Sequence, residues 1–394
     1  MTFERLQPLT RLLLGAGLWL PLSVQAASDE LFFEPIPSVF SASKYEQKIT
    51  AAPAAVSIVT AEEIYRSGYQ NFADILDSLP GVFTTDDRSR QYVSMRGLGN
   101  TGDVNSRVQV LVDGSTLNEP VYGGAGIGDD FPVDIDLIER VEVVRGPGSS
   151  IYGGSALLGV INVITKRGRD FKGAQVSLRG GSSGLVQGRF SYGDKLPNGV
   201  EYLLSGSDKA ADGDPRLYFP VFDTPETNAG LAENLDQGRA QTLLLKASRG
   251  SVSFQGHYVT RDKSVPSAPF DSRFNDPAAS SASSQLFFSV RGGHLFDSGV
   301  ELRSNVDYGR FQASTDLSYD TGPVGLAAFN RSRGLGEWWA SETQLSAAPS
   351  AKHRLVGGLS YRNNFRQEQT KIDAQTRWQD NRSTEVIAGY LQDE

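Results

Sequence analysis

Residues 138–153 read IERVEVVRGPGSSIYG, and residues 156–166 follow almost at once with ALLGVINVITK. Both stretches are rich in Val and Ile, which favour strands, so we predict strands at 140–144 and 160–165. No helical pattern follows each strand in order, which argues against a doubly wound parallel sheet.

Two short helices are predicted nearer the N-terminus. Thr60-Ala61-Glu62-Glu63 has the spacing of a capping box and predicts that a helix begins directly after a strand at 55–59. Asn71 is placed to cap a second helix, in which apolar residues recur with the helical period until Pro80-Gly81 ends it.

Further strands are predicted at 92–96 and 108–112, and Asp113-Gly114 predicts the turn that closes the second of them. Together these elements predict a compact mixed α/β domain over residues 51–168.

From about residue 173 the sequence changes to segments with a period of two. In residues 300–308, for example, Val300, Leu302, Val306 and Tyr308 alternate with polar side chains, so each segment has one apolar and one wet face. We predict ten such strands, at 174–181, 185–192, 200–209, 239–249, 251–261, 285–291, 300–308, 337–346, 354–361 and 385–393.

The links between these strands alternate in length. Short links are predicted at 194–199, 250, 295–299 and 347–351, and long links at 210–238, 262–282, 312–335 and 366–383. Short turns at one end and long loops at the other are typical of an outer-membrane barrel, whereas a soluble sandwich has no reason to sort its loops. Residues 169–394 are therefore predicted to form the N-terminal part of an antiparallel transmembrane β-barrel.

Residues 1–26 have the organisation of a cleaved signal peptide, with Arg5 and Arg11 ahead of an apolar core at 12–22 that is too short to span a bilayer. The chain has no cysteine, which excludes disulfides and thiol chemistry, and its 3 histidines are too scattered to predict a metal site. A formal net charge of -8 argues against general nucleic-acid binding.

An ordered series of stretches resembles the plug domain of TonB-dependent outer-membrane receptors. The stretches are 51–63 (AAPAAVSIVTAEE), 72–82 (FADILDSLPGV), 94–97 (SMRG), 108–114 (VQVLVDG) and 138–153 with 156–166. The resemblance implies a receptor in the outer membrane of a Gram-negative cell, with TonB, membrane lipid and a small ligand as partners. It implies no enzymatic activity and no cofactor.

A ferric siderophore is the commonest ligand of the family, and cobalamin, haem or a carbohydrate remain alternatives. A passive porin and an exported β-rich enzyme are competing classes; the plug motifs argue against the first, and the missing Gly-x-Ser-x-Gly motif and histidine cluster against the second. Family barrels have about 22 strands, so ten predicted strands lead us to expect a fragment or a split gene product.

The resemblance also implies where the receptor binds TonB. Residues 39–47 (VFSASKYEQ) are similar to the stretch at and just after the TonB box, and residues 27–50 are predicted to be an exported leader. An extended apolar peptide here could add a strand to the edge of a partner's sheet. The predicted TonB-binding residues are Pro37, Ser38, Val39, Phe40, Ser41 and Ala42, with residues 29–34 (DELFFE) as a rival position.

Apical plug loops are implied at 84–90, 98–106 and 118–130. The candidate ligand contacts in them are Asp86, Asp87, Arg88, Arg90, Asn118 and Tyr122. Arg96 and Arg145 lie in motifs where the family carries plug arginines that pair with barrel carboxylates, and Glu342 is a candidate partner. The acidic link at 210–238 could bind a divalent cation, but a solvated surface loop is the favoured interpretation.

Overall fold

The structure is a computed structural model that describes residues 38–39, 44, 47–48, 54–99, 102–320, 327–350, 353–373 and 376–393. The predicted signal peptide at 1–26 lies outside the described residues, as does most of the predicted leader at 27–50.

The described strands before residue 170 are β1 (Ser38–Val39), β2 (Gln47–Lys48), β3 (Ala55–Thr60), β4 (Val82–Asp86), β5 (Gln91–Met95), β6 (Val108–Val112), β7 (Ser115–Thr116), β8 (Ile138–Arg145) and β9 (Gly159–Thr165). The α-helices are α1 (Ala61–Ser67), α2 (Phe72–Asp77) and α3 (Ser149–Tyr152). The later strands are β10 (Gly173–Gly180), β11 (Val186–Lys195), β12 (Glu201–Ala211), β13 (Arg216–Tyr218), β14 (Leu231–Glu233), β15 (Gly238–Arg249), β16 (Val252–Ser264), β17 (Ser280–Leu295), β18 (Glu301–Asp320), β19 (Ala327–Ser350), β20 (His353–Ile372) and β21 (Arg377–Asp393).

The first part of the fold, which we call the plug, is a mixed α/β unit. Its main sheet has the order β3-β8-β9-β6-β7, and β4 pairs separately with β5. β6 and β9 are parallel, and the other neighbours in the main sheet are antiparallel. This arrangement confirms the predicted mixed α/β class.

The two predicted helix starts are confirmed. The hydroxyl of Thr60 accepts from the backbone N–H of Glu63, and the Glu63 carboxylate accepts from the backbone N–H of Thr60 at 2.7 Å. Asn71 and Asp74 form the same reciprocal cap at the start of α2. These caps satisfy backbone N–H groups that the first helical turn cannot pair.

The Asp113-Gly114 turn is also confirmed, and its backbone explains the residue choice. Val112 pairs with Ser115, so only Asp113 and Gly114 connect β6 to β7. Both have positive φ, 48° and 80°, as a two-residue type I′ turn requires. The turn places the Asp113 carboxylate at the end of β9, where it accepts from the backbone N–H of Thr165 at 2.9 Å.

The apolar core of the plug continues into the strands that follow. Phe72 of α2 is 1 % exposed and stacks on Phe131, with 4.0 Å between ring centroids. Four buried side chains from later strands belong to the same cluster, namely Leu203, Leu244, Phe287 and Trp338.

The second part of the fold, which we call the wall sheet, has the strand order β10-β11-β12-β15-β16-β17-β18-β19-β20-β21. All its neighbouring strands are antiparallel, as in β15 with β16. Its polarity is reversed relative to a soluble sheet: in β16, Val252 and Tyr258 are exposed while Gln255 and His257 are buried. An apolar outer face with polar residues inside is typical of a transmembrane barrel wall. Among the described residues, no helix is long and apolar enough to cross a membrane.

All ten predicted wall strands are present, but two predicted long links are wrong. The residues at 312–335 mostly belong to β18 and β19, which pair as far as Asp320 and Ala327. Likewise, residues 366–372 belong to β20 and residues 377–383 to β21. From Arg310 onward the even-numbered positions of β18 become polar, but the backbone ladder continues to Asp320, and Arg331 pairs with Asp316 across it at 2.6 Å.

We expect Phe72→Ala to destabilise the plug by about 3–5 kcal/mol, because it removes a stacked ring and leaves a cavity in the core. Hydrogen exchange of the β6 and β9 amides in urea would measure this loss. The control is Tyr65→Ala, which truncates an aromatic residue that is 85 % exposed on α1. Equal effects of the two variants would contradict the described core.

Candidate functional site

One irregular segment of the plug, residues 112–122 (VDGSTLNEPVY), lies across the inner face of the wall sheet. We call it the crossing segment. Its first anchor is Asp113, whose carboxylate is 3.0 Å from the Lys246 ammonium of β15. Lys246 also donates to the Thr165 hydroxyl at 2.6 Å. The pair therefore ties both β6 and β9 of the plug to one wall strand.

The charge on Asp113 is stabilised by these neighbours. Burial alone would raise the pKa of the Asp113 carboxyl, but Lys246 and the Thr165 hydrogen bonds outweigh burial and hold that pKa below its ordinary value. Asp113 is therefore ionised over the physiological range, and the contact with Lys246 is an ion pair.

The crossing segment continues over β17 and β18. The hydroxyl of Ser115 lies 3.1 Å from that of Ser289 and 3.2 Å from a carboxylate oxygen of Asp307, and Arg291 donates to Ser115 as well. The amide of Gln285 donates to the Leu117 carbonyl at 2.7 Å. Wall side chains thus supply hydrogen bonds at the edge of the plug sheet formed by β7.

The segment ends against β19 and β20. Arg362 donates to the Asn118 carbonyl at 2.9 Å, and Gln367 donates to the Pro120 carbonyl at 2.7 Å. On β19 the wall has glycines here: a Cβ built on Gly336 would lie 2.9 Å from Pro120 Cδ. The wall sheet therefore leaves space for the crossing segment and also donates hydrogen bonds to it.

A second group of polar contacts joins the plug to the first wall strands. Lys209 of β12 lies 2.7 Å from Asp129, and Arg189 of β11 lies 3.4 Å from Asp136. Gln187 donates to Asp134 at 2.9 Å.

The predicted apical loop at 84–90 is held by its own carboxylates. Asp87 accepts from the backbone N–H of Arg90 at 2.8 Å and from the Tyr92 hydroxyl at 2.8 Å. Arg88 lies 3.2 Å from Asp236, in the long link after β12. Asp86 is exposed and accepts from the Arg88 backbone. The loop thus lies at the end of the wall where the long links are.

Glu119 organises the end of the crossing segment. Its carboxylate accepts from the backbone N–H groups of Val121 at 2.5 Å, Tyr122 at 3.0 Å and Gly124 at 3.3 Å. Burial raises the pKa of Glu119 to about 7, against the lowering effect of these hydrogen bonds and of Arg90. The carboxyl group therefore titrates near neutral pH.

The structure brings some of the predicted ligand contacts together. Asp86, Asp87, Arg88 and Arg90 share one loop, and a small cavity connects Arg90 and Tyr92 with Glu119 and Phe311. Tyr122 makes an edge-to-face contact with Phe311 at the same end.

Asn118 has a different environment. It is 3 % exposed, and its side chain bonds the backbone of Val108, Val110 and Gly123. These hydrogen bonds indicate that Asn118 stabilises the backbone conformation inside the plug. Ligand contact by Asn118 stays a prediction.

The predicted ion pairs of Arg96 and Arg145 with wall carboxylates stay a prediction. In the structure Arg96 is exposed and donates to the Arg145 carbonyl at 2.7 Å. Arg145 donates to the Pro80 carbonyl and to the Ser57 hydroxyl at 3.0 Å. Glu342 instead binds Lys44, with 2.6 Å between the charged groups.

Sequence reasoning missed three residues of this interface. Lys246 is one of many polar residues on alternating strands, and Lys44 is part of the leader. Glu119 lies in a predicted apical loop, where a carboxylate is expected to be solvated. Lys246 and Lys44 have partners between 80 and 298 positions away in sequence, so local spacing held no signal for them. Glu119 accepts from backbone groups two to five positions away, and what the sequence did not indicate is its burial.

The acidic link at 210–238 has structure of its own. β13 pairs with β14, and its carboxylates pair with nearby cations, as Asp236 does with Lys263 and Arg88. Among the described residues, no group of three or more His, Asp or Glu side chains could hold a metal ion.

Comparison with known families places these features in context. Residues 48–160 match the family model described as TonB-dependent Receptor Plug Domain. The chain carries a TonB-dependent receptor plug. The matched range contains β3 to β8 and the whole crossing segment.

Curated relatives are similar to this chain over part of their length. The vitamin B12 transporter BtuB of Vibrio vulnificus is 30 % identical over 219 residues, which is 55 % of this chain and 33 % of that protein. The iron-regulated outer membrane virulence protein of Vibrio cholerae is 33 % identical over 186 residues, which is 46 % of this chain and 27 % of that protein. The chain thus spans about a third of the length of the curated relatives it matches.

The fold of this chain also matches a solved structure, the pyoverdine outer membrane receptor FpvA of Pseudomonas aeruginosa bound to pyoverdine. The TM-score is 0.71 at 15 % identity, and the match covers 90 % of this chain and 56 % of that one. The match extends well beyond the plug, so the wall sheet has the fold of a TonB-dependent receptor barrel. The family is one of receptors and transporters.

We expect the loop that Glu119 caps to open more readily as pH rises from about 4.5 to about 7. Because the folded pKa is raised, the unfolded loop ionises first, so stability is full below pH 4.5 and falls through this window. The measurement is the hydrogen-exchange rate of a peptide containing Tyr122 as a function of pH, corrected for intrinsic exchange rates. Its slope against pH reports the loss of stability. Glu119→Gln should remove it. A slope that persists in the variant would contradict the assignment.

Proposed function

We propose that this chain forms part of an outer-membrane receptor that imports a ferric siderophore, using energy supplied through TonB. The observation that supports the proposal is the crossing segment, which joins a folded plug to β15 through β20 by polar contacts. A folded domain in this position obstructs the path along the inner wall. Its removal or rearrangement therefore requires an energy source, which a passive porin lacks.

The polar character of the interface suits repeated opening and closing. Ion pairs and hydrogen bonds such as Asp113–Lys246 can be exchanged for water, since the inner face of such a barrel is accessible to solvent. An interface built only from apolar side chains would expose them to water on every opening, at a cost proportional to the area.

The names of the similar proteins support a siderophore as the ligand class. One curated relative is described as iron-regulated, and the matched receptor structures include those for pyoverdine, alcaligin and ferric yersiniabactin. The match to a vitamin B12 transporter makes cobalamin the second candidate. We assign ligand contact to Asp86, Asp87, Arg88, Arg90 and Tyr122, which lie at the end of the plug where the long wall links are.

We propose the domain organisation that the sequence predicts. Residues 1–26 are a signal peptide, residues 27–50 a leader with the TonB box at 37–42, residues 51–168 the plug, and residues 169–394 wall strands of a barrel in the Gram-negative outer membrane. Ser38 and Val39 have strand conformation and pair with Gln47 and Lys48. A segment with this backbone suits the addition of a strand to TonB.

We expect the receptor in outer membranes to bind a ferric siderophore with a Kd of about 1 μM or tighter. Ferric pyoverdine, ferric alcaligin, ferric yersiniabactin and cyanocobalamin are suitable probes. The signal is the fluorescence of Trp338, Trp339 and Trp378, the tryptophans that lie beyond the proposed signal peptide. The metal-free chelators are the controls. Binding of cyanocobalamin alone would favour the second candidate, and uptake supported equally well without TonB would exclude energised import.

We expect Val39→Pro to abolish TonB-dependent uptake and leave ligand binding unchanged. Proline removes the backbone N–H that a strand contributes to a partner's sheet, whereas Val39→Ala keeps it and is the matched control. Uptake of the radiolabelled ligand in cells with and without TonB is the measurement. Normal uptake by the proline variant would show that TonB binds elsewhere, for which residues 29–34 are the rival.

A further inference from the structure

A cavity of about 320 Å³ lies between the plug and the inner face of β15, β16 and β17. This volume is within the range of small-molecule pockets, about 300–1,000 Å³. We call it the basic cavity. The wall side of its lining is polar and includes Lys246, Ser253, Gln255, Ser289 and Arg291.

The basic cavity opens to solvent at the end of the wall sheet that has short turns. Gly250 and Ser251 form the turn between β15 and β16, and both line the cavity and are exposed. Ser289, also in the lining, lies 3.1 Å from the hydroxyl of Ser115 in the crossing segment. The cavity is therefore on the short-turn side of the crossing segment, the side that the proposed function places in the periplasm.

The lining of the basic cavity carries an excess of positive charge. Its charged side chains are Arg167, Arg169, Lys246 and Arg291 against Asp113 and Glu201, four cations and two carboxylates. Both carboxylates are already paired, Asp113 with Lys246 at 3.0 Å and Glu201 with Arg169 at 2.5 Å. The whole chain has a formal charge of -8, so this excess is local. A concave surface with an excess of one sign concentrates counter-ions.

Arg291 is the cation that the protein leaves without a close counter-ion. It donates to the Ser115 hydroxyl and, among the described residues, has no carboxylate within the 4.0 Å of an ion pair. Its guanidinium packs against the turn between β6 and β7, where a Cβ built on Gly114 would lie 3.5 Å from Arg291 Nη1. A guanidinium has five N–H donors in a planar fork, which suits the paired oxygens of an oxyanion.

One wall strand, β17, lines both the basic cavity and the small cavity on the other side of the crossing segment. Gln285 borders the small cavity, and Arg291 borders the basic cavity. Between them, Gln285 donates to the Leu117 carbonyl at 2.7 Å and Arg291 donates to the Ser115 hydroxyl. This strip of the wall therefore already binds oxygen acceptors on both sides of the crossing segment.

We propose that the basic cavity is a binding site for an oxyanion, such as the carboxylate of a ferric siderophore that has passed the crossing segment or of a free organic acid. Arg291 contacts the anion, and Lys246 adds to the positive potential. The role in transit rests on the proposed function, whereas the preference for anions does not.

The first test measures the potential in the basic cavity of the purified receptor. The chain has no cysteine, so Ser253→Cys introduces a single thiol at the position paired with Arg291. An anionic and a cationic methanethiosulfonate are compared, each rate divided by its rate with a free thiol. The ratio of the two cancels any change in the reactivity of the thiol itself.

The anionic reagent should react faster in this comparison. Arg291→Gln should lower the ratio about threefold, the scale of one nearby charge in water with salt, and Arg291→Lys should keep it. A faster reaction with the cationic reagent in Ser253→Cys alone would overturn the proposal without the need for an arginine variant.

The matched control is Arg362→Gln in the same Ser253→Cys background. Arg362 is another inward wall arginine that donates to the crossing segment, at the Asn118 carbonyl. It lies on β20, three strands and about 14 Å from β17, beyond the screening length of about 10 Å at 0.1 M salt. The ratio should not change in this variant. Equal falls with Arg362→Gln and Arg291→Gln would overturn the assignment to this cavity.

The second test measures occupancy with citrate as the probe. Citrate should slow modification of the same thiol by neutral N-ethylmaleimide, in comparison with chloride at equal ionic strength. Arg291→Gln should weaken this protection about tenfold, the scale of one charge-assisted hydrogen bond. Protection by citrate no greater than that by chloride would overturn the site.

Uptake by cells distinguishes the two sources of the anion. Ferric pyoverdine uptake, divided by the amount bound at the cell surface, should fall severalfold in Arg291→Gln and should be retained in Arg291→Lys. Citrate protection together with unaltered uptake in Arg291→Gln would assign the site to free anions and overturn its role in transit. Citrate protection in a protein that imports no ferric chelate would sustain the anion site and reject the proposed function.

Discussion

The crossing segment is the constraint on which the arrangement of the chain depends. It begins at Val112, at the end of β6, includes the edge strand β7 and contacts β15 through β20 before it ends at Tyr122. An exposed sheet edge and an irregular loop both carry backbone groups that need partners. Wall side chains supply them, as Gln285 does for Leu117 and Gln367 for Pro120. The plug and the wall sheet therefore complete one another's hydrogen bonding.

The interface between the plug and the wall sheet combines a small apolar contact with several charged pairs. The apolar cluster that plug and wall share includes only a few wall side chains, such as Phe287 and Trp338. The charged contacts are the ion pairs of Asp113 with Lys246 and of Asp129 with Lys209. Charged pairs of this kind hold a defined register because each partner would be left uncompensated elsewhere. The charged groups can also exchange their partners for water at a wet inner face, so separation of the plug from the wall sheet would not expose a large apolar area.

The leader, the plug and the wall meet at Lys44. Its ammonium group lies over the rings of Tyr152 of the plug and Tyr390 of the wall, and it pairs with the carboxylate of Glu342 of the wall. Lys44 is thus in contact with both the plug and the wall sheet.

The sequence by itself determined the local elements. Capping boxes at Thr60 and Asn71, the Asp113-Gly114 turn and the period of two in the wall strands all depend on neighbours a few positions apart. Alternation failed to predict how far β18 extends, because its even-numbered positions become polar from Arg310 onward while the backbone ladder continues to Asp320. Only the tertiary structure decided that Glu119 is buried, that Lys246 meets Asp113 and that Lys44 meets Glu342. Those contacts join residues far apart in the chain, and a charged side chain looks the same in sequence whether it faces solvent or a buried partner.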